Sequence, residues 1–229
     1  MEFNYYYNNV PNVGLCRNNL IYTSLISNDQ KTFVQWYYND TDYHKGKNQV
    51  VDSALMDEKW KREIHFLSNM AYYNLDMVPE ILDINISDRK IFLKIDGPDF
   101  WELSRCDASN YDTVLPDWQD QMIKIIKAHK DMGWHKYSMH PSSYFVVDGK
   151  LKSINYFFTY YKDETYVSIK DVESHIHSNR QDEMKKHLEL LEISWDTPQS
   201  WSLMDILCWE SFRKNYPDDF VDKVKECIK

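Results

Sequence analysis

Two short runs near the start of the chain, residues 20–27 and 31–38, alternate apolar and polar positions around the polar triplet Asn28-Asp29-Gln30. Alternation interrupted by a polar turn predicts a β-hairpin. Residues 54–71 then carry Met56, Trp60, Ile64, Leu67 and Ala71 at helical spacing, which predicts an amphipathic helix. Pro79 opens a strand over residues 80–86, Ser87-Asp88-Arg89 turns the chain, and residues 90–95 return as a second strand. Gly97-Pro98 breaks the pattern. A short helix over residues 101–104 follows, then a longer one over residues 117–132. Its Met122, Ile125, Ile126 and Met132 share a face, and Gly133 stops it. Residues 144–147 and 151–154 flank Asp148-Gly149, a strong hairpin signal. Past Tyr161 the pattern is helical over residues 169–174, 180–191, 200–215 and 218–228, with Pro198 and Pro217 separating the last three. The first 20 residues, rich in Asn and Tyr, read as an irregular lead-in, and residues 40–51 as a polar loop. Strands in one half and helices in the other predict an α+β fold.

Charge narrows the partners. A net charge of -9 repels nucleic-acid phosphates, and no Lys/Arg run relieves it, so DNA or RNA binding is disfavoured. Cys16, Cys106, Cys208 and Cys227 lie far apart without a CxxC pair, which argues against zinc. No run approaches the roughly 18 apolar residues of a membrane span. The start lacks the apolar stretch of a secretory leader. The expectation is a soluble cytoplasmic protein that binds neither membrane nor nucleic acid.

Several phrases, in order, carry a resemblance. Arg62-Glu63-Ile64-His65-Phe66-Leu67 precedes Val78-Pro79-Glu80-Ile81-Leu82. Phe92-Leu93-Lys94-Ile95-Asp96-Gly97-Pro98 precedes Phe100-Trp101-Glu102-Leu103. Gly133-Trp134-His135-Lys136-Tyr137-Ser138-Met139-His140-Pro141-Ser142-Ser143-Tyr144-Phe145-Val146-Val147 precedes Leu151-Lys152-Ser153-Ile154-Asn155-Tyr156-Phe157. Over roughly Tyr22 to Phe158 this resembles the protein-kinase and aminoglycoside-phosphotransferase superfamily. The resemblance implies a two-lobed fold, with residues 1–96 as a small β-rich lobe holding one main helix. Residues 97–229 would form a reduced helical lobe with a degenerate catalytic-loop hairpin, and Lys94, Ile95 and Asp96 would serve as the interlobe hinge beside a nucleotide.

The same resemblance assigns positions and shows that their chemistry has changed. With Pro141 as anchor, the catalytic Asp falls on Ser138, whose hydroxyl is neutral near pH 7. The two metal-binding positions fall on Ser143 and Asn155, and magnesium prefers anionic oxygen. The phosphate-binding Lys falls on Trp36, or on Gln35 if the register shifts by one. Its partner Glu falls on Glu63, a residue type also common on exposed helix faces. The glycine-rich loop falls before Tyr22, where Gly14 stands alone; the chain has only 5 glycines. No catalytic residue, metal ligand or cofactor is therefore expected, and the chain reads as a pseudokinase acting as a binding or regulatory scaffold for a protein partner. The alternative is a phosphotransferase or other group-transfer enzyme using ATP and magnesium through non-standard residues such as His140, Asp148, Asp163, Glu164 and Asn155. The wealth of Asn, Lys, Ile and Tyr suits an AT-rich, viral source acting in host cytoplasm, and says nothing about mechanism. Asp171, Glu173, His175 and His177 read as a surface loop or helix cap rather than a metal site.

Overall fold

The structure, a computed structural model, describes residues 2–6, 22–38, 53–136, 138–161 and 215–228. The predicted loop at residues 40–51, the helices over residues 169–174, 180–191 and 200–214, Gly14, Asp163, Glu164 and the His175/His177 group lie outside the described residues.

The fold is mixed α+β with a sheet-rich N-terminal part. Its main sheet has five strands in the order β1-β2-β3-β5-β4. The first predicted hairpin is β2 (Thr23–Ser27) and β3 (Thr32–Trp36), antiparallel with Leu25 opposite Val34. Gln30 takes the positive φ of 55° that its turn requires. β4 (Ile81–Asn85) and β5 (Lys90–Lys94) pair the same way, with Arg89 at φ 53° in the turn. The expected irregular lead-in is corrected in part: Phe3–Tyr5 forms β1, added to the free side of β2 with Phe3 opposite Ser27.

α1 (Ser53–Tyr73) buries Met56, Trp60, Phe66, Leu67 and Met70, with the Trp60 ring 5.5 Å from that of Tyr37 just past β3. Salt bridges Lys61–Asp57 (2.6 Å) and Arg62–Glu58 (2.9 Å) each span one turn of the helix. Past the sheet come α2 (Phe100–Leu103), α3 (Tyr111–Val114) and α4 (Trp118–Asp131). Gly133 at φ 71° ends α4 and donates to the Lys130 carbonyl (2.9 Å). β6 (Trp134–Lys136) pairs with β9 (Thr159–Tyr161), a pair with no clear period in the sequence. Between them, β7 (Tyr144–Val147) and β8 (Lys150–Ser153) form the expected hairpin. Asp148 and Gly149 both have positive φ, as a two-residue primed turn demands. α5 (Asp218–Ile228) packs Phe220, Val221 and Val224 toward α4, with the Phe220 ring 4.5 Å from that of Trp118. One hydrophobic core runs from Tyr6 and Phe33 through α1 to α4 and α5.

Candidate functional site: a buried polar cluster at Asn155

Asn155 follows β8 and is fully buried, with φ 66° and ψ 55°. Asn is among the few side-chain-bearing residues that tolerate this left-handed region. The turn carries the chain from β8 into the helical turn Tyr156–Phe158, which packs against α1.

Four segments meet at the Asn155 amide. Tyr22, just ahead of β2, donates its hydroxyl to Asn155 Oδ1 at 2.6 Å. Gln35 of β3 donates Nε2 to the same oxygen at 3.1 Å. Asn155 Nδ2 donates to Ser143 Oγ at 2.9 Å, and the Ser143 carbonyl accepts from Ile154 N–H at 2.8 Å. Both lone pairs of the amide oxygen are thus used inside the protein. Tyr22, Gln35, Ser143 and Asn155 are all buried, and none carries a charge at neutral pH.

Glu63 extends the cluster from α1. It is fully buried, not on an exposed helix face. Its Oε2 accepts from the Tyr37 hydroxyl (3.1 Å) and the Phe157 N–H (2.6 Å). Burial pushes its carboxyl up to about 7, against the lowering effect of the Phe157 N–H, Lys136, Tyr37 and Gln35. Glu63 Oε1 and Gln35 Oε1 are buried without hydrogen-bond partners.

The other predicted positions separate from this cluster. Trp36 follows Gln35 in the strand and therefore faces the opposite side of the sheet. There it stacks on Tyr38 (4.7 Å between ring centres) beneath Lys90 Nζ (4.6 Å). Of the two registers, it is Gln35 that reaches Asn155. Ser138 offers its backbone carbonyl to Lys136 Nζ. Lys136 is itself buried, with Tyr144 and Tyr156 rings 5.5 and 5.3 Å from its ammonium. His140 caps the turn at Pro141–Ser143 through Nδ1, which accepts from Ser142 N–H at 3.2 Å. Lys94 is exposed and paired with Glu80 (3.4 Å). Ile95 is buried and donates its N–H to the Lys31 carbonyl (2.9 Å). Asp96 accepts from Lys31 Nζ (3.0 Å) and Asp148 N–H (3.1 Å), contacts that hold its carboxyl below the usual range.

A second buried site lies beside the first. The rings of Phe33 and Phe145 sit 5.0 Å apart, and Tyr6 packs against both, at 5.5 and 6.5 Å. Tyr22 borders Phe33 at 6.5 Å. The Tyr6 hydroxyl donates to Asp99 Oδ2 (3.1 Å) and accepts from Asp99 N–H (2.7 Å). Tyr22, Phe33, Phe145 and Asp99 were not predicted as site residues. The one local signal was a polar Gln35 beside Phe33 in a run that otherwise reads as buried strand.

Among the described residues, no group of three or more His, Cys, Asp and Glu side chains gathers as a metal site would. No described helix is long and apolar enough to cross a membrane. The chain matches no family model and no curated protein sequence.

Proposed function

We propose that this chain is a degenerate protein-kinase-like domain that acts by binding a protein partner, not by magnesium-dependent phosphoryl transfer. In this reading residues 1–96 are the small lobe and residues 97–229 the large one, with Lys94–Asp96 as the link. The observation that carries it is the Asn155 cluster. Gln35, Glu63, Ser143 and Asn155 come from four separate segments, each assigned a nucleotide-site position by resemblance alone. An accidental resemblance has no reason to bring them into one hydrogen-bonded neighbourhood.

The chemistry of that neighbourhood does not fit magnesium. Magnesium takes oxygen ligands with near-octahedral geometry and is held through one or two carboxylates together with substrate phosphates. Here both metal positions are neutral, and the Asn155 oxygen is saturated by Tyr22 and Gln35. The nearby carboxylate, Glu63, is committed to Tyr37 and the Phe157 N–H and is held toward its neutral form by burial. Ser138, at the catalytic base position, has no anionic oxygen. The space between sheet and hairpin where a base would stack is closed by Phe33, Phe145 and Tyr6.

Binding to a protein draws support from the surface. Tyr72, Leu75 and Ile86, at the end of α1 and beyond β4, are exposed by 95%, 71% and 74%. The proposed partner contact is therefore assigned to this end of α1, where Tyr72 and Leu75 are three residues apart. The reading is tested by incubating the protein with ATP labelled on the γ-phosphate, with magnesium or manganese, and measuring label on the protein and on generic acceptor proteins. The expected result is no metal-dependent transfer. Transfer that a metal chelator abolishes would overturn it.

A further inference from the structure

The turn that carries Leu75 is exposed, yet its backbone is bonded at each step. The helical turn Leu75–Met77 follows α1 with only Asn74 between them. Asn74 N–H donates to the Met70 carbonyl at 2.8 Å, and Met77 N–H donates to the Asn74 carbonyl at 3.1 Å. Asn74 Oδ1 accepts from Asp76 N–H at 2.9 Å. These bonds are local, so they set the shape of the turn and not the place where it stands. Apolar packing does not set that place either, because no residue of Leu75–Met77 is buried.

The place is set from β8. Alternate residues of a strand face the same side, so Lys150 and Lys152 reach the turn together. Lys150 Nζ lies 2.5 Å from Asp76 Oδ2. Lys152 Nζ donates to the Leu75 carbonyl at 3.0 Å and lies 4.0 Å from Asp76 Oδ1. The two lysines are not equivalent. Both members of the Lys150–Asp76 pair are exposed, and such a pair holds weakly. Lys152 is buried: burial pulls its ammonium below its ordinary value, and Asp76 pulls it back. Its hydrogen-bond and ion-pair partners among the described residues both lie in the turn. A turn that swung away would leave a buried ammonium unmet, which is costly. β8 is itself anchored to α4, where Gln121 Oε1 accepts from Leu151 N–H at 2.7 Å and Gln121 Nε2 donates to the Gly149 carbonyl at 3.2 Å.

We infer that Lys152 is a buried clasp that holds the turn at residues 74–77 against β8, so that Tyr72 and Leu75 are presented in one fixed place. A surface already in place spares a partner the free energy of ordering it. That purpose rests on the proposed partner contact. The clasp itself does not, and it is read on the free protein, so the two fail independently.

Hydrogen exchange at single amides tests the clasp. Lys152→Met keeps an unbranched side chain and loses the ammonium. In this variant the Asn74 and Met77 amides are expected to exchange about tenfold faster or more, while β3 and β5 keep their protection. Lys150→Met is expected to change them less. Unchanged exchange at both amides in folded Lys152→Met overturns the clasp. Acceleration spread equally over β3 and β5 would make Lys152 a general core contact, and overturns it too. Lys150→Met matching Lys152→Met overturns the assignment to the buried lysine. Should Lys152→Met fail to fold, wild type decides. There the Met77 amide is expected to exchange within about tenfold of the hydrogen-bonded amides of β8, and faster exchange overturns the clasp.

Discussion

The Asn155 cluster and the Tyr6–Asp99 contact are both buried, both lie between the sheet and the β7–β8 hairpin, and are built differently. At Asn155, groups from four segments satisfy one another: the amide oxygen takes two donors and the amide nitrogen finds Ser143. At Asp99 the hydroxyl of Tyr6, which follows β1, donates to the carboxylate and accepts from the Asp99 N–H, while Oε1 of Glu102 there, like Oε1 of Gln35 and of Glu63 near Asn155, has no hydrogen-bond partner. A polar cluster whose bonds are reciprocated is hard to remodel, because any newcomer must break several bonds at once. The first region is the one on which the proposed lack of metal-dependent chemistry rests.

Breaking the cluster has the largest expected effect. Asn155→Leu strands the Tyr22 hydroxyl, the Gln35 amide and Ser143 in the core and should cost about 3–5 kcal/mol in urea unfolding. It also forces a branched side chain into a left-handed turn. Asn155→Gly relieves the backbone cost and leaves the lost bonds, so it should be the milder of the two.

Glu63 supplies a pH dependence of intermediate size. Burial lifts its folded-state value from 4.5 to about 7, so the fold favours the protonated form. Its contribution is then full below about pH 4.5, falls as pH rises through the window up to about 7, and levels off above it. The span is about 3 kcal/mol. Glu63→Gln keeps an acceptor for Tyr37 and the Phe157 N–H but does not titrate. Relative to wild type it should therefore gain stability steadily between pH 4.5 and 7. A constant difference across that range would show that Glu63 titrates normally.

The smallest effect sharpens the contrast from the other side. Tyr6→Phe keeps the ring between Phe33 and Phe145 and removes the hydroxyl from Asp99. The loss should be about 1–3 kcal/mol by urea unfolding, below that of Asn155→Leu. A loss as large as that of Asn155→Leu would make Tyr6 part of the permanent polar core.

What could be read from the sequence follows from how local each signal is. The hairpin at Asp148-Gly149 and the α1 and α4 helices carry their pattern within a few residues of themselves, and each forms where expected. β1 does not, because Phe3–Tyr5 becomes a strand only through its pairing with β2, more than twenty residues away in sequence. The β6–β9 pair likewise joins two three-residue segments whose pattern is too short to declare itself. At the site, Ser143, Asn155 and Glu63 were visible as positions, but their contacts were not. The choice between Gln35 and Trp36 turned on strand register, which a shift of one residue reverses. Tyr22 was invisible as a partner, since the bond it makes to Asn155 spans 133 residues of chain.

The proposal that the Asn155 amide, hydrogen-bonded within the protein, stands in the place of a metal-nucleotide site is tested most directly by a thermal-shift titration of wild type with ATP, alone and with magnesium or manganese. A ligand that binds only the folded state stabilises it by about 2.7 kcal/mol at 100 times its Kd, so binding at millimolar nucleotide would be plain. The account predicts no metal-dependent shift. A shift that grows with ATP and requires the metal would contradict it, and would mean that the bonds around Asn155 yield to a cation.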